Sequence, residues 1–333
     1  PGVGQTTIGN SNLSWEKAKI TNIGFNSILS NGLGIDFEYF IRETNDILFD
    51  IPINVLTGFT SQTSNAAKME NKGWELGLRY NKTFGDLKVQ LSGQLSKVEN
   101  TVVDLNPKVD GGDVDRIVYE TRILAEGFPF LGFYGIKTDG LITGSPNAAN
   151  ASLGAQAGDL NLVDFDGDNE ISLDDRQYLG KDIPTYTYGF QLGLQYKNFD
   201  LAAIFQGEAD VQYFGDFELW NPDFGGVVTW KKWFTESVTN NPSGTFPRAG
   251  TTTSSYRFKT DFFLYDRDYL RLKNLQIGYN IPTDSLPIDG LRLFFNATNL
   301  LTFTNIPLVD PEQRSGAATI ADPDLQGSGW GNR

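Results

Sequence analysis

The chain has 333 residues, which suggests about two domains. It carries 27 Lys and Arg against 41 Asp and Glu, a net charge of −14, and has no Cys and no His. This excludes a disulfide framework, zinc or haem sites built on Cys or His, and thiol or Ser-His catalysis. The excess of acid disfavours a nucleic-acid partner.

Taken from the start, Pro1-Gly2-Val3-Gly4 has neither the basic nor the apolar segment of a signal peptide. No window approaches 18 apolar residues, but a β-barrel strand needs only about 10 alternating ones. Alternation begins at Leu33, Ile35, Phe37, Tyr39 and Ile41, with Gly34, Asp36, Glu38 and Arg42 opposite and Phe40 an exception. Next, Trp74, Leu76, Leu78 and Tyr80 alternate with Glu75, Gly77, Arg79 and Asn81, and Leu87, Val89 and Leu91 with Lys88, Gln90 and Ser92. Tyr188, Phe190, Leu192, Leu194 and Tyr196 face away from Gly189, Gln191, Gly193 and Gln195. At Lys273–Asn274 the phase slips between Leu270/Leu272 and Leu275/Ile277/Tyr279, which predicts a β-bulge. Last come Leu291, Leu293 and Phe295 against Arg292 and Asn296.

Short connections join these runs in pairs: Asn31-Gly32, which predicts a type I′ turn, then Gly85-Asp86, Lys197-Asn198 and 282–289. Between the pairs lie long stretches, 49–71, 101–184, 208–260 and 306–333. Short turns alternating with long loops predict an all-β, antiparallel transmembrane β-barrel, with one face of each strand toward lipid and the other toward a lumen. A secreted, soluble β-rich glycan-binding module with calcium-braced loops is the alternative reading. About eight to ten strands with loops this long suggest a portion of a larger barrel. Its last strand is expected to lie outside this sequence.

The one sharp chemical motif is Asp164-x-Asp166-x-Asp168-x-Glu170-x-Ser172-x-x-Asp175, which matches positions 1, 3, 5, 7, 9 and 12 of a Ca²⁺-binding loop. Asp164, Asp166, Asp168 and Asp175 would offer carboxylates, Glu170 its carbonyl and Ser172 a hydroxyl or a water. Asn169 replaces the usual Gly at position 6, but Asn tolerates positive φ. A structural Ca²⁺ is therefore expected, bracing a 101–184 connection that reads as poor in apolar residues. Asp104, Asp110, Asp113 and Asp115 read as a solvated acidic patch. Phe217, Trp220, Phe224, Trp230, Trp233 and Phe234 cluster in 208–260, and Phe128, Phe130, Phe133 and Tyr134 form a second aromatic group. Phe217, Trp220, Trp230, Trp233, Phe128 and Tyr134 are the candidates for contact with a ligand or a partner protein. No carboxylate pair has the setting that glycoside hydrolysis needs, so no enzyme is expected.

Three blocks carry a family resemblance. They are Asn12-Leu13-Ser14-Trp15-Glu16; Gly158-Asp159-Leu160 through Asp164-Phe165-Asp166-Gly167-Asp168; and Asp268 to Thr304 with Asp310-Pro311-Glu312. In this order they resemble the C-terminal barrel of SusC/RagA-type TonB-dependent transporters over nearly the whole chain. The resemblance implies an outer-membrane barrel of roughly 22 strands in a Bacteroidota-type Gram-negative cell, with extracellular loops and an N-terminal plug. It also implies import of glycan or peptide oligomers with a SusD-like surface lipoprotein, energised by the TonB complex.

Overall fold

The alternation resolves into one sheet of eight strands in a computed structural model of the chain. The model describes residues 8–105, 108–109, 112–113, 116–119, 121–215, 238, 243–248, 259–283, 287–288, 290–306 and 309–313. Strands β1 (Lys17–Ile28), β2 (Leu33–Pro52), β3 (Ser61–Phe84) and β4 (Leu87–Leu105) come first. An excursion follows. It carries β5 (Lys108–Val109), β6 (Gly112–Asp113), β7 (Arg116–Tyr119), β8 (Arg122–Ala125), β9 (Gly132–Ile136), β10 (Thr138–Leu141), helix α1 (Ala148–Ser152), β11 (Leu160–Leu162) and β12 (Arg176–Gly180). The chain then returns through β13 (Tyr186–Tyr196) and β14 (Phe199–Ala209). Outside the main sheet β15 (Gln212–Phe214) pairs with β16 (Leu264–Asp266), and β17 (Tyr269–Ile281) and β18 (Leu291–Thr304) complete it.

The sheet order is β1-β2-β3-β4-β13-β14-β17-β18, antiparallel throughout, with β1 and β18 at its edges. In such a meander successive connections fall at alternate ends. The turns at 29–32, 85–86, 197–198 and 282–290 therefore share one end, and the excursions share the other. This is the parity read from the sequence.

Register makes the two faces continuous across strands. Leu33, Tyr80, Leu91, Leu192, Ala203, Leu275 and Ala297 are successive cross-strand partners on the apolar face. One residue along, Gly34, Arg79, Ser92 and Gln191 line the polar face. The slip in β17 is a bulge: Leu272 pairs with Phe205 and Asn274 with Ile204, which leaves Lys273 as the extra residue. Leu270 and Leu272 thereby stay on the same face as Leu275 and Ile277. Phe40 breaks the polar pattern because it packs over Gly73, where a Cβ would sit 3.1 Å from the Phe40 Cζ. Farther round the polar face, Arg292 pairs with Asp200 at 2.5 Å across β17. The pair passes above Gly278, whose missing side chain leaves the room for it.

The first turn differs from the expected I′ type. Ser30 and Asn31 are the central residues, and only Gly32 takes positive φ, +89°. The Asn31 side chain accepts a hydrogen bond from Leu33 N at 3.0 Å. The result is a three-residue loop with glycine at the left-handed position. At the third hairpin a non-glycine, Lys197, holds φ +51°. Left-handed backbone costs such a residue roughly 1–2 kcal/mol. The exposed contacts of Lys197 with Asp86 and Tyr196 return about half a kcal/mol each at most. Lys197→Gly is therefore expected to stabilise the folded sheet by about 0.5–1 kcal/mol. A rise in its denaturant midpoint would show this.

The connection read at 49–71 is mostly strand. β2 runs 20 residues and β3 24, leaving only 53–60 between them. The alternation was lost to sequence reading because β2 gains a residue at Asn45–Asp46, where Asp46 takes φ +60°. The extra residue inverts the pattern, so Ile47, Phe49 and Ile51 turn toward the side opposite Ile35–Ile41.

There they meet the excursion. Ile47, Phe49, Ile51, Ala66, Ala67, Val102 and Leu105 from the strand ends pack with Ile117, Leu124 and Leu131. Phe49 contacts Tyr119 and Phe130 edge-on at 5.2 and 5.8 Å. The expectation of an apolar-poor connection is thus corrected. Residues 116–180 build a four-stranded sheet, β12-β9-β8-β7, with two apolar clusters of their own and a third shared with the strand ends.

Candidate functional site

The acidic loop lies between β11 and β12. Its Asp164, Asp166 and Asp168 bring carboxylate oxygens within 4.8 Å of one another. Each is fixed by backbone donors: Gly167 N and Asn169 N bond Asp164 at 2.7 and 2.9 Å, Asp168 N bonds Asp166 at 3.2 Å, and Glu170 N bonds Asp168 at 2.7 Å. Asn169 takes φ +66°, the left-handed conformation that position 6 demands, and Gly167 takes +79°. Ile171 anchors the loop by burial against Ile136, Ala149, Leu160 and Leu162.

Asp175 stands apart from the three-carboxylate group. It is fully buried, and its two oxygens accept from Phe165 N at 2.6 Å and Ser172 N at 2.8 Å. It clasps the two ends of the loop. The Ser172 hydroxyl accepts from Asp174 N at 3.0 Å, and Glu170 is exposed. A hydrogen bond from Asp168 N pulls the Asp166 carboxyl down, but desolvation and the charges of Asp168, Asp175 and Asp164 outweigh it and raise its pKa. A carboxyl raised in the fold adds stability only while protonated and loses it as pH rises through its own pKa. With the cluster ionised, an oxygen-seeking cation would relieve the repulsion.

The same loop borders a cleft of about 940 Å³, floored by one face of the β12-β9-β8-β7 sheet. That face carries Val118, Ile123, Ala125, Tyr134 and Tyr178, while Ile117 and Leu124 point to the strand-end core behind it. Phe128 stacks on Tyr178 with ring centres 5.2 Å apart. Tyr134 is buried, with Arg176 over its ring at 5.2 Å and Arg116 Nη1 3.5 Å from its hydroxyl. The structure thus brings the candidates Phe128 and Tyr134 together at one cleft. Phe130 and Phe133 instead enter the packing behind it. Sequence reading missed Arg116, Arg176 and Tyr178. Their signal was the alternation Arg176-Gln177-Tyr178, which sets the arginine and tyrosine on one face.

Phe217, Trp220, Phe224, Trp230, Lys231, Lys232, Trp233 and Phe234 lie outside the described residues, as do Asp110 and Asp115. Asp104 lines the cleft.

Residues 1–300 match the family model described as TonB dependent receptor-like, beta-barrel. TonB-dependent receptor P3 of Formosa agariphila is 33% identical over 93% of this chain and 32% of its own length. TonB-dependent receptor SusC of Bacteroides thetaiotaomicron is 26% identical over 92% of the chain and 30% of its own. Among solved structures, the RagAB peptide transporter superposes with a TM-score of 0.74 at 25% identity, over 93% of this chain and 34% of the other. The chain spans about a third of the length of these relatives.

Proposed function

This chain belongs to the TonB-dependent receptor-like β-barrel family, and from that premise we propose that it is part of the wall of an outer-membrane importer driven by TonB. The carrying observation is the uncovered apolar face. Ile23, Phe25, Leu78, Phe190, Phe199, Ile277, Leu293 and Phe295 lie on it and are exposed, and no second sheet packs there among the described residues. From Tyr186 to Tyr196 that face runs about 34 Å along β13, which at a tilt of about 40° gives a band roughly 26 Å tall. An outer-membrane apolar band is about 25 Å. Lys97 lies over Tyr186 at one border and Lys197 over Tyr196 at the other, where charge would meet the head groups. A soluble module would pack these residues inward against a second layer, so that alternative loses its support.

In this reading the short turns are periplasmic and the excursions extracellular. The cargo is a nutrient oligomer, glycan or peptide, taken in with a SusD-like lipoprotein. A neighbour described as a peptide transporter supports an oligomer as the class of cargo, and the relative named SusC supports the receptor family. The chain transports and does no covalent chemistry. Topology can be tested because this stretch has no cysteine of its own. In the full-length protein on intact cells, an impermeant maleimide is expected to label Ser145→Cys on the excursion and to spare Asp86→Cys at the turn. The reverse pattern would overturn the reading.

The acidic loop is read as a Ca²⁺ site formed by Asp164, Asp166, Asp168 and the Glu170 carbonyl, with Ser172 offering a hydroxyl or a water and Asp175 clasping the two ends of the loop. Oxygen-only donors favour Ca²⁺ over softer metals, and ligand distances of about 2.3–2.6 Å are expected. Support comes from the convergent carboxylates and from the left-handed Asn169. Because Ile171 and Asp175 tie the loop to the excursion's core, removing Ca²⁺ should expose residues 141–184 to limited proteolysis and leave the long strands intact. Cleavage that is the same with and without chelator would sink this assignment.

A further inference from the structure

The cleft beside the acidic loop has an electrostatic character that the wall of a barrel does not need. Three cations line it: Arg116 from β7, Arg176 from β12 and Lys137 just after β9. The other arginines of this region are matched with carboxylates. Arg122 pairs with Asp182 at 2.8 Å, Arg248 with Asp159 at 3.0 Å, Arg267 with Glu208 at 2.9 Å, and Arg271 with Asp310 at 2.8 Å. Arg116, Lys137 and Arg176 have no carboxylate partner among the described residues. Arg176 spends its Nε on Leu173 O at 2.8 Å, which holds the guanidinium in place and leaves both Nη groups without a partner among the described residues. Among the described residues Arg116 reaches the Tyr134 hydroxyl, at 3.5 Å, the limit of hydrogen bonding.

The two guanidiniums therefore approach one buried tyrosine from two sides, one at its hydroxyl and one at its ring. Unpaired guanidiniums held against an aromatic floor are preorganised for a planar anion, because each offers a fork of N–H donors that matches a carboxylate. Phe128, Tyr178 and the exposed Phe165 supply ring surface for the rest of a ligand. Asp104 and Glu126 also line the cleft, and Glu126 is partly engaged by Leu105 N at 3.1 Å. Three positive and two negative side chains suit a ligand with one negative charge at the arginines and disfavour a dense polyanion.

We infer that this cleft binds a carboxylate-bearing ligand, with the carboxylate between Arg116 and Arg176 and its ring or aliphatic body on Phe128 and Tyr178. The same chemistry is offered by a uronic-acid oligosaccharide and by an acidic peptide. The inference rests on the import reading for where such a ligand would come from, but not for the contacts themselves.

Calorimetry on the full-length protein in detergent tests it directly, without transport. Two acid probes are used, a uronic-acid tetrasaccharide and a short peptide with one glutamate, each beside its methyl ester or amide. At least one acid is expected to bind at least tenfold more tightly than its neutral counterpart, and which one does so identifies the source. Arg116→Gln with Arg176→Gln should weaken that binding by 10- to 100-fold, while Lys88→Gln, far off at a hairpin end, should not. If neither acid binds, or each acid and its neutral form bind alike, the inference is overturned whether or not the variants fold. Wild-type affinity in a folded double variant would also overturn it. Binding that follows these expectations in a protein that moves no cargo would leave the cleft standing and refute the importer instead.

Discussion

Leu192→Arg is expected to prevent the protein from accumulating as a folded barrel in the outer membrane. Leu192 sits mid-strand on the apolar face, between Leu91 and Ala203. A cation at the bilayer midplane of a barrel costs about 2–4 kcal/mol. Gln191→Arg, one position away on the polar face, should be tolerated, since Gln191 there lies beside Ser92. The pair is a test because both variants add the same charge to the same strand. Folded fractions read by heat-modifiable gel mobility should fall for the first and hold for the second. The reverse pattern would mean the two faces have been exchanged, and equal loss or equal tolerance would mean that β13 does not divide lipid from lumen.

Arg122→Met is expected to be the most damaging single change in the excursion. Arg122 is buried on the rear face of the β12-β9-β8-β7 sheet. Its Nη1 donates to Leu131 O at 2.9 Å, its Nη2 to Asp182 at 2.8 Å, and its guanidinium lies 3.9 Å from the Phe133 ring centre. Removing one partner of a buried pair strands the other charge and costs about 3–5 kcal/mol, whereas replacing both with apolar groups is often neutral. Hydrogen exchange of β7 to β9 should therefore accelerate by two to four orders of magnitude in Arg122→Met, with β13 and β14 unchanged. Arg122→Met with Asp182→Leu should recover most of the protection. A double variant as labile as the single one would show that the arginine acts through its backbone acceptor and ring contact, with the charge pair secondary.

Most of the sheet was legible because period-2 alternation is a local signal that each strand carries alone. The bulge at Lys273 was legible for the same reason, since an extra residue shifts the phase on both sides of a single run. The bulge at Asn45–Asp46 was not. Beyond it the residues that point inward, Ile47, Phe49 and Ile51, belong to a core completed by Ile117 and Leu124, about 70 positions away in sequence. The excursion hid its own sheet in the same way. Strands of four or five residues, such as Arg116–Tyr119 and Arg122–Ala125, are too short for a period to stand out. The convergence of Asp164, Asp166 and Asp168 was legible, because their spacing is written into alternate residues of one short loop. Asp175 was misread in part, because a carboxylate that clasps two backbone N–H groups has the same sequence signature as one that closes a metal shell. Arg116 and Arg176 escaped notice because they lie 60 residues apart and meet only through β8 and β9.

The re-phased upper part of β2 has a consequence for how the molecule is assembled. Slipping β2 against β3 by one residue would carry Ile47, Phe49 and Ile51 away from Ile117 and Leu124. The lower strands resist such an error as well, since it would turn Asp36, Glu38 and Arg42 toward lipid. The cap of short strands rejects it outright, because its own core is half made of those strand tips and cannot close around polar residues. Closure of the excursion's core therefore depends on strand alignment, and a chain inserted out of step would be recognisable by a cap that never sets.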